Sequence, residues 1–104
     1  MPKGYVIFTE AIKDRAGMDA YGRAAAQAMV GGVSVLSVDP RPQVLEGEWH
    51  GDQTVVLEFE SVEAARAWYE SAAYQKAKSL RQAAADTNAV IVSGLEPPPA
   101  RGDG

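Results

Sequence analysis

The apolar residues of this 104-residue chain change their spacing along its length, and the order of those changes limits the folds open to it. Residues 3–12 alternate, with Tyr5, Ile7 and Thr9 facing one way and Val6, Phe8 and Glu10 the other. Both sets are apolar near the middle, the pattern of a strand covered on both faces. After Asp14, a suitable helix N-cap, Met18, Tyr21, Ala25, Ala28 and Met29 recur at helical spacing, and Gly31-Gly32 ends the stripe. Gly22 weakens that helix and is expected to mark a close approach of backbone. Residues 33–38 alternate again as a second strand. Pro40 and Pro42 interrupt it, because proline has no amide proton for a central ladder position, and the strand is expected to resume over residues 44–49. His50-Gly51-Asp52 reads as a turn, and residues 54–60 as a third strand that forms a hairpin with the second.

Ser61 and Ser71 are then positioned to cap two short helices. The first is expected to bury Val62, Ala65, Trp68 and Tyr69, with Glu63 favouring its N-terminal dipole; the second is expected to bury Ala73, Ala77, Leu80 and Ala84. Residues 87–93 complete the pattern as a fourth strand. The order β-α-β-β-α-β predicts an α+β, ferredoxin-like domain over residues 1–94: a four-stranded antiparallel sheet with its helices on one face. Residues 95–104, with three consecutive prolines, are expected to form a flexible C-terminal tail. The other sheet face, assigned Tyr5, Ile7, Val56, Ala89 and Ile91, needs a cover, and a second copy of the chain is the simplest one.

Composition narrows function without naming a reaction. Net charge is −4, so there is no basic excess for phosphate neutralisation and nucleic acid is not expected as a partner. The absence of cysteine removes disulfides, thiol catalysis and thiolate-held metals. No apolar run exceeds four residues, so no membrane segment is expected, and the N-terminal residues carry no signal-like pattern; a cytoplasmic protein is the expectation. Phosphate-binding glycine loops, Gly-x-Ser-x-Gly elbows and His-Glu-x-x-His helices are missing as well. Arg101-Gly102-Asp103 spells an adhesion tripeptide, a match short enough to arise by chance.

The segments Lys3-Gly4-Tyr5, Val44-Leu45-Glu46-Gly47-Glu48-Trp49, Val56-Leu57-Glu58-Phe59-Glu60-Ser61, Ala65-Arg66-Ala67-Trp68-Tyr69 and Ser71-Ala72-Ala73-Tyr74-Gln75, followed by Arg81, form an ordered series. In this series the chain resembles domain-of-unknown-function family 1330 of the dimeric α/β-barrel superfamily, over residues 3–94. It departs from the family pattern at residues 37–42 and in having no proline near Ala72. The resemblance implies a ferredoxin-like protomer whose sheet pairs with that of a second protomer to close a barrel. The wider superfamily includes cofactor-independent monooxygenases, lactone isomerases, haem enzymes and stress-response proteins, so it implies a fold and not one reaction.

Four groups of side chains are candidates for chemistry. Glu46, Glu48, His50 and Asp52 would share one face if the strand continued through them; they offer an acid/base pair, a divalent-metal site, or merely a solvated hairpin end. Glu58 is expected on the inter-sheet side, as a base or as half of an ion pair across a dimer. Arg81 suits a substrate carboxylate, or else an ion pair with Asp86 or Glu70 on the surface. Tyr21, Trp49, Trp68 and Tyr69 line a cleft or fill a core. These residues favour a small cofactor-independent enzyme acting by proton transfer or isomerisation on a small organic acid, lactone or aromatic compound, in a cleft between sheet and helices. Glu46, His50 and Glu58 would carry the chemistry, and Tyr21, Trp49, Trp68, Tyr69 and Arg81 the binding, with no cofactor or metal. The alternative is a non-catalytic homodimer that binds or senses a small molecule.

Overall fold

A computed structural model of the protein describes residues 2–29 and 32–95. Strand β1 (Gly4–Ile12) is followed by helix α1 (Arg15–Ala28), strands β2 (Ser34–Asp39) and β3 (Gln53–Phe59), helices α2 (Val62–Glu70) and α3 (Ala72–Ala84), and strand β4 (Ala85–Ser93). The sheet order is β2-β3-β1-β4 with every neighbouring pair antiparallel, the ferredoxin-like α+β arrangement. The expected tail, apart from Leu95, and the expected helix-ending Gly31 lie outside the described residues.

The alternation of β1 settles how the layers form. Val6, Phe8 and Glu10 point under the helices and are buried, whereas Tyr5, Ile7 and Thr9 lie on the opposite face and are only half-buried. Phe8, Leu57 and Phe59 from the sheet meet Ala25 and Ala28 of α1, Ala65 and Trp68 of α2, and Tyr74 and Ala77 of α3 in one core. Removing a large apolar side chain of this kind from water stabilises the fold by about 1.5–3 kcal/mol.

Short polar contacts set the helix positions. The Ser61 hydroxyl accepts from the Ala64 amide at the start of α2. Ser71 serves two helices: its hydroxyl donates to the Trp68 carbonyl at the end of α2 (2.8 Å) and accepts from the Tyr74 amide at the start of α3 (3.1 Å). The Ala84 carbonyl accepts from the amides of both Lys13 and Asp14, which ties the start of α1 to the end of α3. Close backbone approach falls at Gly17, where an added Cβ would stand 2.9 Å from that of Ala84; at Gly22 it would meet nothing within 4 Å, contrary to expectation.

Four further expectations need correction. Residues 44–49 form no strand and belong to the loop between β2 and β3. Besides its prolines, this loop has Asp39 Oδ1 accepting from the Arg41 amide, a turn that draws the chain off the ladder. The loop closes at Gly51, whose φ of 81° suits glycine and whose added Cβ would press on the Glu10 carbonyl at 2.5 Å. On α3 the buried stripe is Tyr74, Ala77, Arg81 and Ala84; Ala73 is exposed and Leu80 is 40% exposed. Strand β4 starts at Ala85, directly from the helix, two residues before its expected beginning. Finally, Ala89 pairs with Phe8 and Ile91 with Val6, which puts both on the helix side; Val90 and Val92 take the open face opposite Ile7 and Tyr5.

Candidate functional site

Glu10 ends the apolar set of β1, and its alternation with Val6 and Phe8 carries a carboxyl group under the helices, where it is 1% exposed. Gln53 is its register partner on β3 and donates from Nε2 to Glu10 Oε1 at 2.9 Å. Burial raises the Glu10 pKa above the ordinary carboxylate value, and the Gln53 hydrogen bond and the charge of Arg81 pull against that rise. Asp52 holds the adjoining turn in place: its amide donates to the Glu10 carbonyl (2.8 Å) and its Oδ2 accepts from the Ile12 amide (3.0 Å).

Arg81 and Tyr74 are seven residues apart on α3, two turns, and therefore share its inner face. Arg81 is 3% exposed, with its guanidinium carbon 4.9 Å from the centre of the Phe8 ring and 6.0 Å from that of Tyr21. Its Nε has no hydrogen-bond partner. The ion pairs among the described residues are His50–Asp86 and Arg66–Glu70, so Arg81 brings its charge inside without a carboxylate in contact. The hydroxyls of Tyr21 and Tyr74 lie 2.9 Å apart, and burial is the main cause raising the pKa of both.

Glu10, Gln53 and Tyr21 border a cleft of about 270 Å³ between α1 and the sheet. Glu10, Tyr21 and Gln53 supply its polar wall, and Phe8, Met18 and Val55 part of its apolar one. Arg15 and Asp19, both exposed, stand at its edge, and Gly22 contributes space. Arg81 lies behind this wall, against the Phe8 and Tyr21 rings.

The profile of the family described as Domain of unknown function (DUF1330) matches residues 3–95. The chain belongs to the DUF1330 family. No curated protein matches it in sequence. Among solved structures, it is similar to the methylated RPA0582 protein of Rhodopseudomonas palustris, with 20% identity, a TM-score of 0.74, and coverage of 92% of this chain and 83% of that one. A dimeric ferredoxin-like protein of unknown function from Thermobifida fusca aligns at 14% identity and a TM-score of 0.61, covering 88% and 91%. A variant of SnoaB, a cofactor-independent oxygenase from Streptomyces nogalater, aligns at 10% identity and a TM-score of 0.63, covering 93% and 97%. At these identities the likeness is one of fold.

The candidates named from sequence fall into three places in this DUF1330 protein. Tyr21 and Arg81 join the cleft region. Trp68 packs in the core, its ring centre 4.1 Å from that of Tyr74, and Tyr69 flanks it under Lys78. The rest lie apart from the cleft. Glu58 accepts from the Tyr5 hydroxyl (2.9 Å) on the open face, and this bond is the main cause raising the Tyr5 pKa. His50 Nδ1 is 2.8 Å from Thr9 Oγ1, and its Nε2 is 3.6 Å from Asp86 Oδ2. Trp49 Nε1 donates to Thr54 Oγ1 at 2.8 Å. Glu46 and Glu48 are exposed in the loop, so the shared face proposed for Glu46, Glu48, His50 and Asp52 does not form. Among the described residues, no group of three or more His, Asp or Glu is placed to hold a metal. Glu10, Gln53 and Tyr74 were not among the site residues expected from sequence, although a carboxylate closing the apolar series Val6, Phe8 was a usable signal.

Proposed function

We propose that this protein is a small-molecule enzyme that moves a proton on a compact organic acid, lactone or aromatic compound bound in the cleft between α1 and the sheet. The observation that carries this reading is Glu10, a carboxyl group buried in the wall of an otherwise largely apolar cleft and raised in pKa by that burial. Such a group exchanges a proton near neutral pH more readily than an exposed carboxylate. Tyr21, hydrogen-bonded to Tyr74 and next to the Arg81 charge, is suited to stabilise an oxyanion that develops on the substrate. The cleft volume of about 270 Å³ sits near the lower end of ordinary ligand sites, about 300–1,000 Å³, which favours a single small ring or chain. A neighbour of the same fold, SnoaB, is a cofactor-independent oxygenase, which agrees with chemistry drawn from side chains alone.

A homodimer formed through the open sheet face accompanies this reading. Ile7, Val56, Val90 and Val92 lie there, Val90 at 52% exposure, and the similar Thermobifida fusca protein is dimeric. Burying such a stripe against a symmetry mate removes it from water.

The test is exchange of carbon-bound hydrogen. Small keto acids, lactones and phenolic carbonyl compounds are incubated with the protein in heavy water, and loss of the proton next to the carbonyl is followed by NMR. We expect protein-dependent exchange for at least one compound, reduced about 10²- to 10⁴-fold in Glu10→Gln, the usual contribution of a positioned acid or base. Binding without exchange across the set would remove the enzymatic reading and leave a binding protein.

A further inference from the structure

We infer that the cleft selects a singly charged anion, such as a small aromatic or branched carboxylate, and that each anion enters together with one proton taken up by Glu10. This rests on the cleft reading above and specifies its ligand. Arg81 is a cation that is 3% exposed, has no carboxylate in contact among the described residues and leaves Nε unpartnered. Charged side chains are almost never buried so fully unless paired. The aromatic faces of Phe8 and Tyr21 compensate part of the charge. What remains is a positive field directed through the two rings that also line the cleft.

Glu10 is a buried acid in the wall of this space, and Arg81 stands behind that wall. With Glu10 ionised, Arg81 and Glu10 balance and the cleft has no net attraction for an anion. With Glu10 protonated, the excess is one positive charge, and its acid proton is free to be donated to an incoming carboxylate. A second carboxylate placed against Glu10 in the apolar part of the cleft disfavours the ionised form of each, so the incoming anion drives Glu10 toward its neutral form. Phe8, Met18 and Val55 provide the apolar wall that favours a ring or branched chain over a polar body.

The groups facing Glu10 are Gln53 from β3, Arg81 from α3 and Tyr21 from α1; the Gln53 amide does not titrate, and burial holds the Tyr21 hydroxyl above the usual tyrosine range. Arg15 and Asp19 at the exposed edge of the cleft add charges of opposite sign.

The experiment uses benzoate, with uncharged benzamide of the same shape, on the full chain. Calorimetry in buffers of different ionisation enthalpy counts protons, and the Met18 methyl signal reports occupancy. We expect benzoate to bind at least tenfold more tightly than benzamide. Proton uptake should approach one per bound anion as pH rises past the Glu10 titration, with affinity falling about tenfold per pH unit there. Glu10→Gln should bind benzoate without uptake or pH dependence. Arg81→Met should lose the preference for the anion, while Arg81→Lys, which keeps the charge, should retain it. Equal binding of the two probes, or benzoate binding without proton uptake, overturns the inference while leaving the cleft as a ligand site. So does a Met18 response to uncharged fragments only. No Met18 response to any small molecule would overturn the cleft reading itself.

Discussion

Replacing Arg81 by methionine should destabilise the protein in a pH-dependent way. Methionine keeps most of the aliphatic stem, so the change removes charge more than volume. The variant loses a cation placed over Phe8 at 4.9 Å and Tyr21 at 6.0 Å, an arrangement worth up to about 2 kcal/mol when desolvated. Against this stands relief from holding an ion away from water, which costs several kcal/mol. Below its folded pKa, where the Glu10 carboxyl is neutral, these effects oppose and the net change should stay within about 1–2 kcal/mol. Above that pKa the Glu10 charge matters. Its folded pKa is already raised above 4.5, so wild-type stability is greatest below that value and declines as pH rises through the folded pKa. Arg81 limits the decline by stabilising the carboxylate. Without Arg81 the folded pKa rises further, and each unit costs about 1.4 kcal/mol at pH values above it. The added loss should remain below the roughly 3–5 kcal/mol of a broken contact pair, because the guanidinium touches no carboxylate. Urea titrations at a series of pH values from below to above the Glu10 titration read both limits, and Glu10→Gln in the same background should erase the difference. Equal destabilisation at the two limits, or a difference that survives Glu10→Gln, would refute the electrostatic coupling.

Gly22→Leu should leave folding intact or strengthen it by up to about 1 kcal/mol, since leucine favours the helix and an added Cβ meets nothing within 4 Å. Its side chain should nevertheless fill the cleft, so fragment binding monitored at Met18 should disappear while the urea midpoint holds. Val56→Arg places a charge at the centre of the open face beside Ile7 and should shift sedimentation at micromolar concentration from a dimer to a single chain of 11.1 kDa, with its circular dichroism unchanged.

The parts of the fold legible in the sequence were those controlled by neighbouring residues. The caps at Ser61 and Ser71 need only a hydroxyl three residues before an amide, and both form as expected. The alternation of β1 follows from the pleat alone. What failed depended on phase set at a distance. β4 leaves α3 without an intervening loop, so no turn residue marks where its alternation begins, and the face of Ile91 is fixed only by its pairing with Val6. On α3, alanines at 73 and 77 made one stripe plausible, but packing against α1 rotates the helix so that Arg81, not Leu80, turns inward. Hydropathy places leucine inside and arginine outside, and here a functional demand is the better account of the reversal.

That reversal connects the cleft to the composition of α1. Its inward residues are small apart from Met18 and Tyr21, with Gly22, Ala25 and Ala28 occupying positions where a stable packing helix would carry leucine or isoleucine. Small residues facing Val35, Val38 and Val55 cannot fill the distance to the sheet, so a space remains on one side of Tyr21. The Arg81 guanidinium carbon lies 6.0 Å from the centre of the same ring. A chain of this size has little apolar surface to spare, yet it leaves a cleft unfilled and a cation buried at one place. Either feature alone is a modest loss of stability. Set beside one tyrosine, with a buried carboxyl in the cleft wall, they make sense together as the two parts of a ligand site: room for a small body and a charge to hold it.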